Sequence, residues 1–289
     1  MEMLGRHNVQ LITAAKMQLL LQPTDVITQE ARVVLSQTKT LTGCKLLHAQ
    51  ITHGLVPTLK QWQTQLPTEK LSQQCRDILT RSRWIQAYLT SISIAMIGPP
   101  NSGKSTLLNT LLGRTKAIVT DLAGTTRDTV EAEVTLEPFC LKLLDTAGLD
   151  ATLDQPLDQA AQGKSLKAMQ QADIIMVVLD GSRDAQQLQQ LPLDRIADRP
   201  VITLLNKCDL PSRLQSSDLP EHLLPALPFC AQQPEQIPTL LDHIQTTLGL
   251  DKIDIRSPLA FTLHQQDLLE QVIGAQTIEQ IQSLLQEFA

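Results

Sequence analysis

The chain has 289 residues, enough to bury a sizeable core in one large domain or two modest ones. Its hydrophobic fraction is an ordinary 42% but aromatics make up only 2%, so Leu, Ile, Val and Ala must fill the interior. A net charge of −6 argues against nucleic-acid binding over the whole surface, and the longest aliphatic run, residues 174–179, is far too short to span a membrane. Cys44, Cys75, Cys140, Cys208 and Cys230 form no CxxC pair, and the start "MEMLGRHNVQ" has no basic segment leading into an apolar one. A soluble, cytoplasmic protein with reduced thiols is expected.

Residues 1–90 read as a helical lobe. Val26, Ala31, Val33, Val34, Leu41, Leu46, Leu47 and Ile51 recur at helical spacing, Pro23-Thr24-Asp25 offers a helix start, and "HGLVP" at 53–57 a break. A further helix is expected from Thr68 to about Leu89. This lobe holds ten Lys/Arg against five Asp/Glu, whereas the rest of the chain holds fourteen against twenty-five. Solvated helix faces explain the basic excess; an RNA-binding patch is the weaker alternative.

From residue 91 the pattern changes. "SISIAMIG" is a buried strand ending in glycine, followed by a helix from Lys104 to about Leu112. "DTVEAEVTL" and "FCLKLLD" predict an antiparallel pair turning at Glu137–Pro138, and "DIIMVVLD" and "PVITLLN" two more short buried strands. Helices are expected at about 160–172, 184–197 and 234–248, with a weak strand at "ALPFC". Strands alternating with helices imply an α/β domain over 91–250: a mostly parallel sheet with helices on both faces and ligands at the carboxyl ends of the strands. Residues 251–289 are expected to run extended and then form amphipathic helices at 262–273 and 277–288.

"GPPNSGKST", Gly98 to Thr106, matches G-x-x-x-x-G-K-[ST] between a buried strand and a helix. Backbone N–H groups of such a loop point inward at phosphate oxygens, and the helix N-terminus adds positive field. Gly98, Asn101, Ser102, Gly103 and Thr106 belong to this loop. Lys104 would span two phosphates and Ser105 would offer its hydroxyl to Mg²⁺. In "LLDTAG", Asp145 ends a strand where a carboxylate can reach that Mg²⁺ through water, and the Gly148 N–H can reach a terminal phosphate. The next residue, where many GTP-hydrolysing switches place a glutamine to orient water, is Leu149.

"LLNKCDL" selects the base. The carboxylate of Asp209 accepts two hydrogen bonds from the ring N–H and exocyclic amine of guanine, which adenine does not offer. Asn206 would hold the loop and reach the base edge, and the stem of Lys207 would lie over the ring. At "FCA", Ala231 N–H could touch the guanine carbonyl oxygen, with Cys230 standing where a hydroxyl is usual.

Together "GPPNSGKSTLLN", "AIVTDLAGTTRDTV", "LLDTAGL" and "NKCD" resemble the TrmE-like, tRNA-modification branch of the P-loop GTPases, most closely over 91–180. The lobe stretch "PTDVITQEARVVLSQ" and the later "PLAFTLHQQDLL" look more like a planctomycete side-branch of those GTPases. The tRNA enzymes carry an upstream folate-binding domain and a terminal Cys-x-Gly-Lys. This chain shows neither, so the expectation is a GTPase without the modification apparatus.

The resemblance implies a potassium ion beside the phosphates in place of the missing glutamine, held by Asn101, Thr120, Leu122 and Thr125. Asn101 has the competing reading of a plain turn residue. The resemblance also implies Thr126 on Mg²⁺ and a second-switch carboxylate at Asp158 that orients water; the alternative for Asp158 is a solvated loop acid. Lys104, Thr126 and Asp158 are thus the catalytic candidates. Switches at about 115–129 and 146–163 would move the lobe, and G domains would pair transiently as homodimers. Two other readings are a slow or inactive GTP-dependent scaffold, and an RNA-directed GTPase resting on the basic lobe alone.

Overall fold

A computed structural model describes residues 25–65, 70–113, 130–144, 168–196 and 199–288. Its centre is a six-stranded sheet in the order β2-β3-β1-β4-β5-β6, built from β1 (Ser91–Ile97), β2 (Val130–Leu136), β3 (Phe139–Leu144), β4 (Ile174–Asp180), β5 (Val201–Asn206) and β6 (Ala226–Pro228). β2 runs antiparallel to β3, and every other neighbouring pair is parallel. The expected α/β class and the β2–β3 hairpin are both present.

The inner strands β1, β3, β4 and β5 are largely buried on both faces because both faces are covered. Ile94 and Met96 of β1 and Ile174, Met176 and Val178 of β4 join a large core with the N-terminal and C-terminal helices. The alternating residues Ala95, Ile97, Ile175, Val177 and Leu179 join a smaller core with Ala168, Met169, Ile196, Leu214 and Leu223. Period-two alternation sends successive side chains to opposite cores. Each fully buried Leu or Ile contributes about 1.5–3 kcal/mol by leaving water.

The helices before the sheet are α1 (Val26–Gln37), α2 (Leu41–Thr52), α3 (Leu55–Thr64), α4 (Leu71–Ser82) and α5 (Gln86–Leu89); α6 (Lys104–Gly113) follows β1, and α7 (Ile237–Thr247), α8 (Leu263–Gly274) and α9 (Ile278–Glu287) close the chain. Asp25 caps α1 by accepting the Thr28 N–H at 2.8 Å, and Thr40, Thr262 and Thr277 cap α2, α8 and α9 in the same way. α2 and α3 are separated at His53–Gly54, inside the expected break. No helix of the described residues is long and apolar enough to cross a membrane.

Two expected helices differ. The one expected from Thr68 to Leu89 is divided into α4 and α5. Ser82, buried, donates its hydroxyl to Ile78 O at 2.6 Å and accepts the Ala260 N–H at 2.8 Å, while Ile85 and Ala87 close tighter three-residue turns. The helix expected at 184–197 is instead two 3₁₀ turns, Ala185–Gln190 and Leu193–Arg195. Pro192 interrupts it, and Gln187 is drawn inward to bond both the N–H and the C=O of Asp180 at 2.9 Å. Of the helix expected at 160–172, residues 168–171 are described and are helical.

The N-terminal helices and the C-terminal segment, far apart in sequence, form one bundle against the sheet. Gln50, fully buried, ties them together. Its amide oxygen accepts from Leu55 N and Leu259 N, and its nitrogen donates to Ile255 O and Ser257 O, at 2.7–3.1 Å. Glu30 accepts from Gln265 Nε2 and Thr262 Oγ1 and pairs with His264, and Gln63 Nε2 donates to Leu285 O. Tyr88 stacks on Phe139 of β3, ring centroids 5.4 Å apart, and its hydroxyl accepts from Gln245; burial pushes its pKa up to about 12. Gln50→Leu keeps the volume but strands two buried N–H groups. A loss of about 3 kcal/mol is expected in urea unfolding followed by circular dichroism, with guanine-nucleotide affinity near that of the parent where the protein is folded.

Candidate functional site

β1 ends at Ile97 beside β4, and the loop that follows is shaped by two glycines. A Cβ on Gly98 would lie 2.1 Å from the Val178 carbonyl oxygen, so the chain passes β4 at a distance only glycine allows. Gly103 has φ +103°, and a Cβ there would lie 2.0 Å from Asn206 Nδ2. Between them Asn101 sits at φ 62°, a left-handed conformation that Asn tolerates better than most residues. That geometry agrees with its reading as a turn residue and leaves its exposed amide free to serve as a ligand as well.

Lys104 opens α6 and is 8% exposed. Its ammonium donates to Gly98 O at 2.9 Å and Pro99 O at 3.0 Å, which arches the side chain back over the loop. Ser105, next in the first turn, is exposed. The Ser102 hydroxyl is buried without a hydrogen-bond partner among the described residues.

Asn206, at the end of β5 and 2% exposed, joins this loop to the rest of the site. Its Nδ2 donates to Ser102 O at 2.7 Å and its Oδ1 accepts the Ala231 N–H at 2.8 Å. Thr110 of α6 adds a second tie, donating to Ala231 O at 2.6 Å. The Ala231 N–H, a candidate for a guanine oxygen, is held here by Asn206, which fixes the 230 loop against the phosphate loop. Thr110 is not legible in the sequence as a site residue because a threonine one and a half turns into a helix has no motif around it.

Beside the phosphate loop lies a cavity of about 260 Å³ lined by Gly103, Thr106, Asn206, Lys207, Asp209, Leu210, Cys230, Ala231 and Gln232. Cys230 does the work of the hydroxyl it replaces: its thiol donates to Asp209 Oδ1 at 3.3 Å, and its own N–H is held by Gln236 Oε1 at 2.8 Å. Burial pushes the Cys230 pKa up, and the adjacent Asp209 carboxylate adds to that, so the thiol stays a donor. Lys207 is at φ 62°, and its ammonium donates to Asp180 Oδ2 at 2.7 Å. Asp180 is absent from the sequence reading, although an acid closing the otherwise apolar strand "DIIMVVLD" is a visible signal.

Gly98, Asn101, Ser102, Gly103, Lys104, Ser105, Thr106, Asn206, Lys207, Asp209, Cys230 and Ala231 all fall in the phosphate loop, its helix, the end of β5 or the loops that follow β5 and β6. Thr120, Leu122, Thr125, Thr126, Asp145, Gly148, Leu149 and Asp158 lie outside the described residues, as do both expected switch segments.

A glycine-walled phosphate loop at the end of β1, next to a carboxylate-bearing pocket beyond β5 in a sheet of this order, defines a P-loop GTPase domain. The family model described as 50S ribosome-binding GTPase matches residues 93–207. Within that class the domain is similar to the tRNA modification GTPases. It is 43% identical over 159 residues to the tRNA modification GTPase MnmE of Streptococcus pneumoniae, and 39% identical over 155 residues to that of a Synechocystis strain. Each match takes in 54% of this chain and 34% of the relative, so the chain spans about a third of the length of these curated relatives. Among solved structures, Era in complex with MgGDPNP and a fragment of 16S ribosomal RNA aligns with 54% of this chain and 56% of its own, at 24% identity and a TM-score of 0.42.

Proposed function

We propose that this chain binds GTP with Mg²⁺, hydrolyses it to GDP and phosphate, and uses the two nucleotide states as a conformational switch. The observation that carries this reading is the base pocket, in which a carboxylate, Asp209, is held by Cys230 directly beside a phosphate loop locked by Asn206.

The residues divide the work. Backbone N–H groups of 98–104 surround the phosphates and the field at the start of α6 favours their charge. Lys104, held now by two carbonyl oxygens of its own loop, exchanges these for phosphate oxygens and stabilises the charge that grows on them during cleavage. Asp209 reads the guanine N–H groups, and Lys207 walls the ring. The exposed hydroxyl of Ser105 suits a hard cation, and Thr126 together with Asp145, through water, would complete the Mg²⁺ site. The neutral oxygens of Asn101, Thr120, Leu122 and Thr125 suit a potassium ion of the kind the TrmE-like resemblance implies. When bound, such cations would supply positive charge near the phosphates, the task of an arginine finger elsewhere. Asp158 is the proposed orienter of water, given that Leu149 has no hydrogen-bonding group. Transient pairing of G domains belongs to the same reading.

GTP turnover by the purified chain, with potassium exchanged for sodium, tests it. Turnover is expected to rise at least about tenfold in potassium, to lose that stimulation in Asn101→Ala and to fall in Asp158→Ala, on the scale of one transition-state contact. Turnover at background in both salts would remove the hydrolytic reading and leave a nucleotide-binding one.

A further inference from the structure

We propose that Asp180, outside the cavity and outside every motif of the site, is a positioning residue for guanine recognition that acts by tethering Lys207. The proposal rests on the guanine-site reading above and adds a residue to it.

Asp180 ends β4, in register with Asn206 at the end of β5. Its carboxylate is 3% exposed and has a partner on each oxygen. Oδ1 accepts the Ser182 N–H at 3.0 Å and the Ser182 hydroxyl at 2.6 Å, and Oδ2 accepts the Lys207 ammonium at 2.7 Å. Arg183 Nε stands 3.5 Å from Oδ2. The backbone of the same residue is clamped by Gln187 on its N–H and its C=O. Burial acts to raise the Asp180 pKa, but the Lys207 and Ser182 hydrogen bonds outweigh it and the group is held below the usual carboxylate range. The anchor is therefore fixed and charged, and of its two cationic partners Lys207 is the closer, at 2.7 Å against 3.5 Å for the more exposed Arg183.

Lys207 is among the residues lining the cavity and Asp180 is not, so the lysine joins the cavity to an anchor outside its lining. A free lysine has four rotatable bonds and a strongly hydrated head. Left untethered, it would have to be ordered each time a base entered, or would extend its ammonium into water and uncover the pocket. The Asp180 tether and the left-handed backbone at Lys207 impose that order beforehand and leave the aliphatic stem as a standing wall for the ring. Ordering one such side chain in advance corresponds to about a three- to tenfold gain in residence of the nucleotide.

The test is dissociation of a fluorescent GDP analogue from the full chain with Mg²⁺, chased by excess GDP, after calorimetry of GDP on the parent. Asp180→Asn keeps the side-chain shape and an acceptor for Ser182. Its off-rate is expected to rise about fivefold with an unfolding midpoint close to the parent's. In a Lys207→Met background, where the stem needs no tether, the same substitution is expected to change the off-rate by less than about twofold. A purely structural Asp180 would instead lower the midpoint and act equally in both backgrounds. Equal effects in both backgrounds, or an unchanged off-rate in Asp180→Asn, would overturn the proposal while leaving the guanine site intact. No GDP binding by the parent would overturn the site and the proposal together. Should Asp180→Asn fail to fold, Ser182→Ala decides: a smaller rise that vanishes with Lys207→Met supports the tether, and no rise refutes it.

Discussion

Asp209→Asn is expected to lower affinity for GDP by about three orders of magnitude and to create affinity for xanthosine diphosphate where the parent has little. An ionised carboxylate offers acceptors alone, matched to the ring N–H and exocyclic amine of guanine, and such charge-assisted bonds are roughly twice as strong as neutral ones. An amide keeps one acceptor and presents an N–H₂ group to the guanine amine, so one bond is lost and a donor faces a donor. Sites built to hydrogen-bond a ligand reject the mismatched analogue by about 10⁴–10⁵ in favourable cases. Xanthine carries a carbonyl where guanine carries the amine, and that carbonyl accepts from the new N–H₂. The neighbouring Cys230 thiol, 3.3 Å from Asp209 Oδ1, still finds an acceptor in the amide oxygen of the variant and should hold the new side chain in place. Calorimetric titration with the two diphosphates checks both halves. Equal GDP affinity in the parent and Asp209→Asn would mean the base does not lie against this carboxylate.

The second large effect is expected at Asn206. Asn206→Ala removes the donor to Ser102 O and the acceptor of Ala231 N–H, and it leaves both of those backbone groups unpaired in a buried setting. Each stranded group costs about 1–3 kcal/mol. The effect should therefore appear twice: as a loss of about 2–5 kcal/mol in chemical unfolding, and as loss of measurable binding of GDP and GTP at micromolar concentrations, because the phosphate loop and the 230 loop are no longer locked to each other. Asn206→Asp is the sharper probe. It keeps the acceptor for Ala231 but places an acceptor against Ser102 O, so binding should fail although only one atom of the side chain is exchanged. A nucleotide-binding Asn206→Ala variant of normal stability would show that the two loops are held by something else.

Much of this site is legible along the chain because its parts are local. The spacing from Gly98 to Thr106 encodes a loop whose glycines are needed within a few residues of each other, and the structure supplies the reasons: a β4 carbonyl against Gly98 and the Asn206 amide against Gly103. "NKCD" is equally compact, and its Asn206, Lys207 and Asp209 all line one cavity beside the phosphate loop. The partners supplied by distant segments were not legible. Asp180 is 27 residues before Lys207, Thr110 is 121 before Ala231, and no motif links either pair. The Ala231 N–H, expected to meet a base, meets Asn206 because β5 and β6 are neighbours and bring the two loops within one hydrogen bond. Cys230 reads in sequence as the loss of a hydroxyl, yet a buried thiol kept neutral still donates.

Helices show the same division. Periodicity locates α8 and α9 within a residue or two and the start of α1 at Asp25, since Asp25, Thr262 and Thr277 each serve their own helix. The break between α1 and α2, where Thr40 caps a new helix, was not expected. The break in the helix expected at 68–89 depends on Ser82 meeting Ala260, and the 3₁₀ turns at 185–195 on Gln187 being pulled onto Asp180, both encounters between segments that propensity treats as independent.

The amino-acid sequence alone determined the strands, the phosphate loop and the compact "NKCD" loop after β5, because hydrophobic period, glycine placement and capping act over a few residues. Only the tertiary structure decided that the helices before the sheet and those after it form one bundle sewn by Gln50 and Glu30, and that Asn206, Thr110 and Asp180 bind the loops of the site to each other. Those bonds join residues tens to hundreds of positions apart. Their partners are chosen by the packing of two faces of one sheet, which no short stretch of sequence contains.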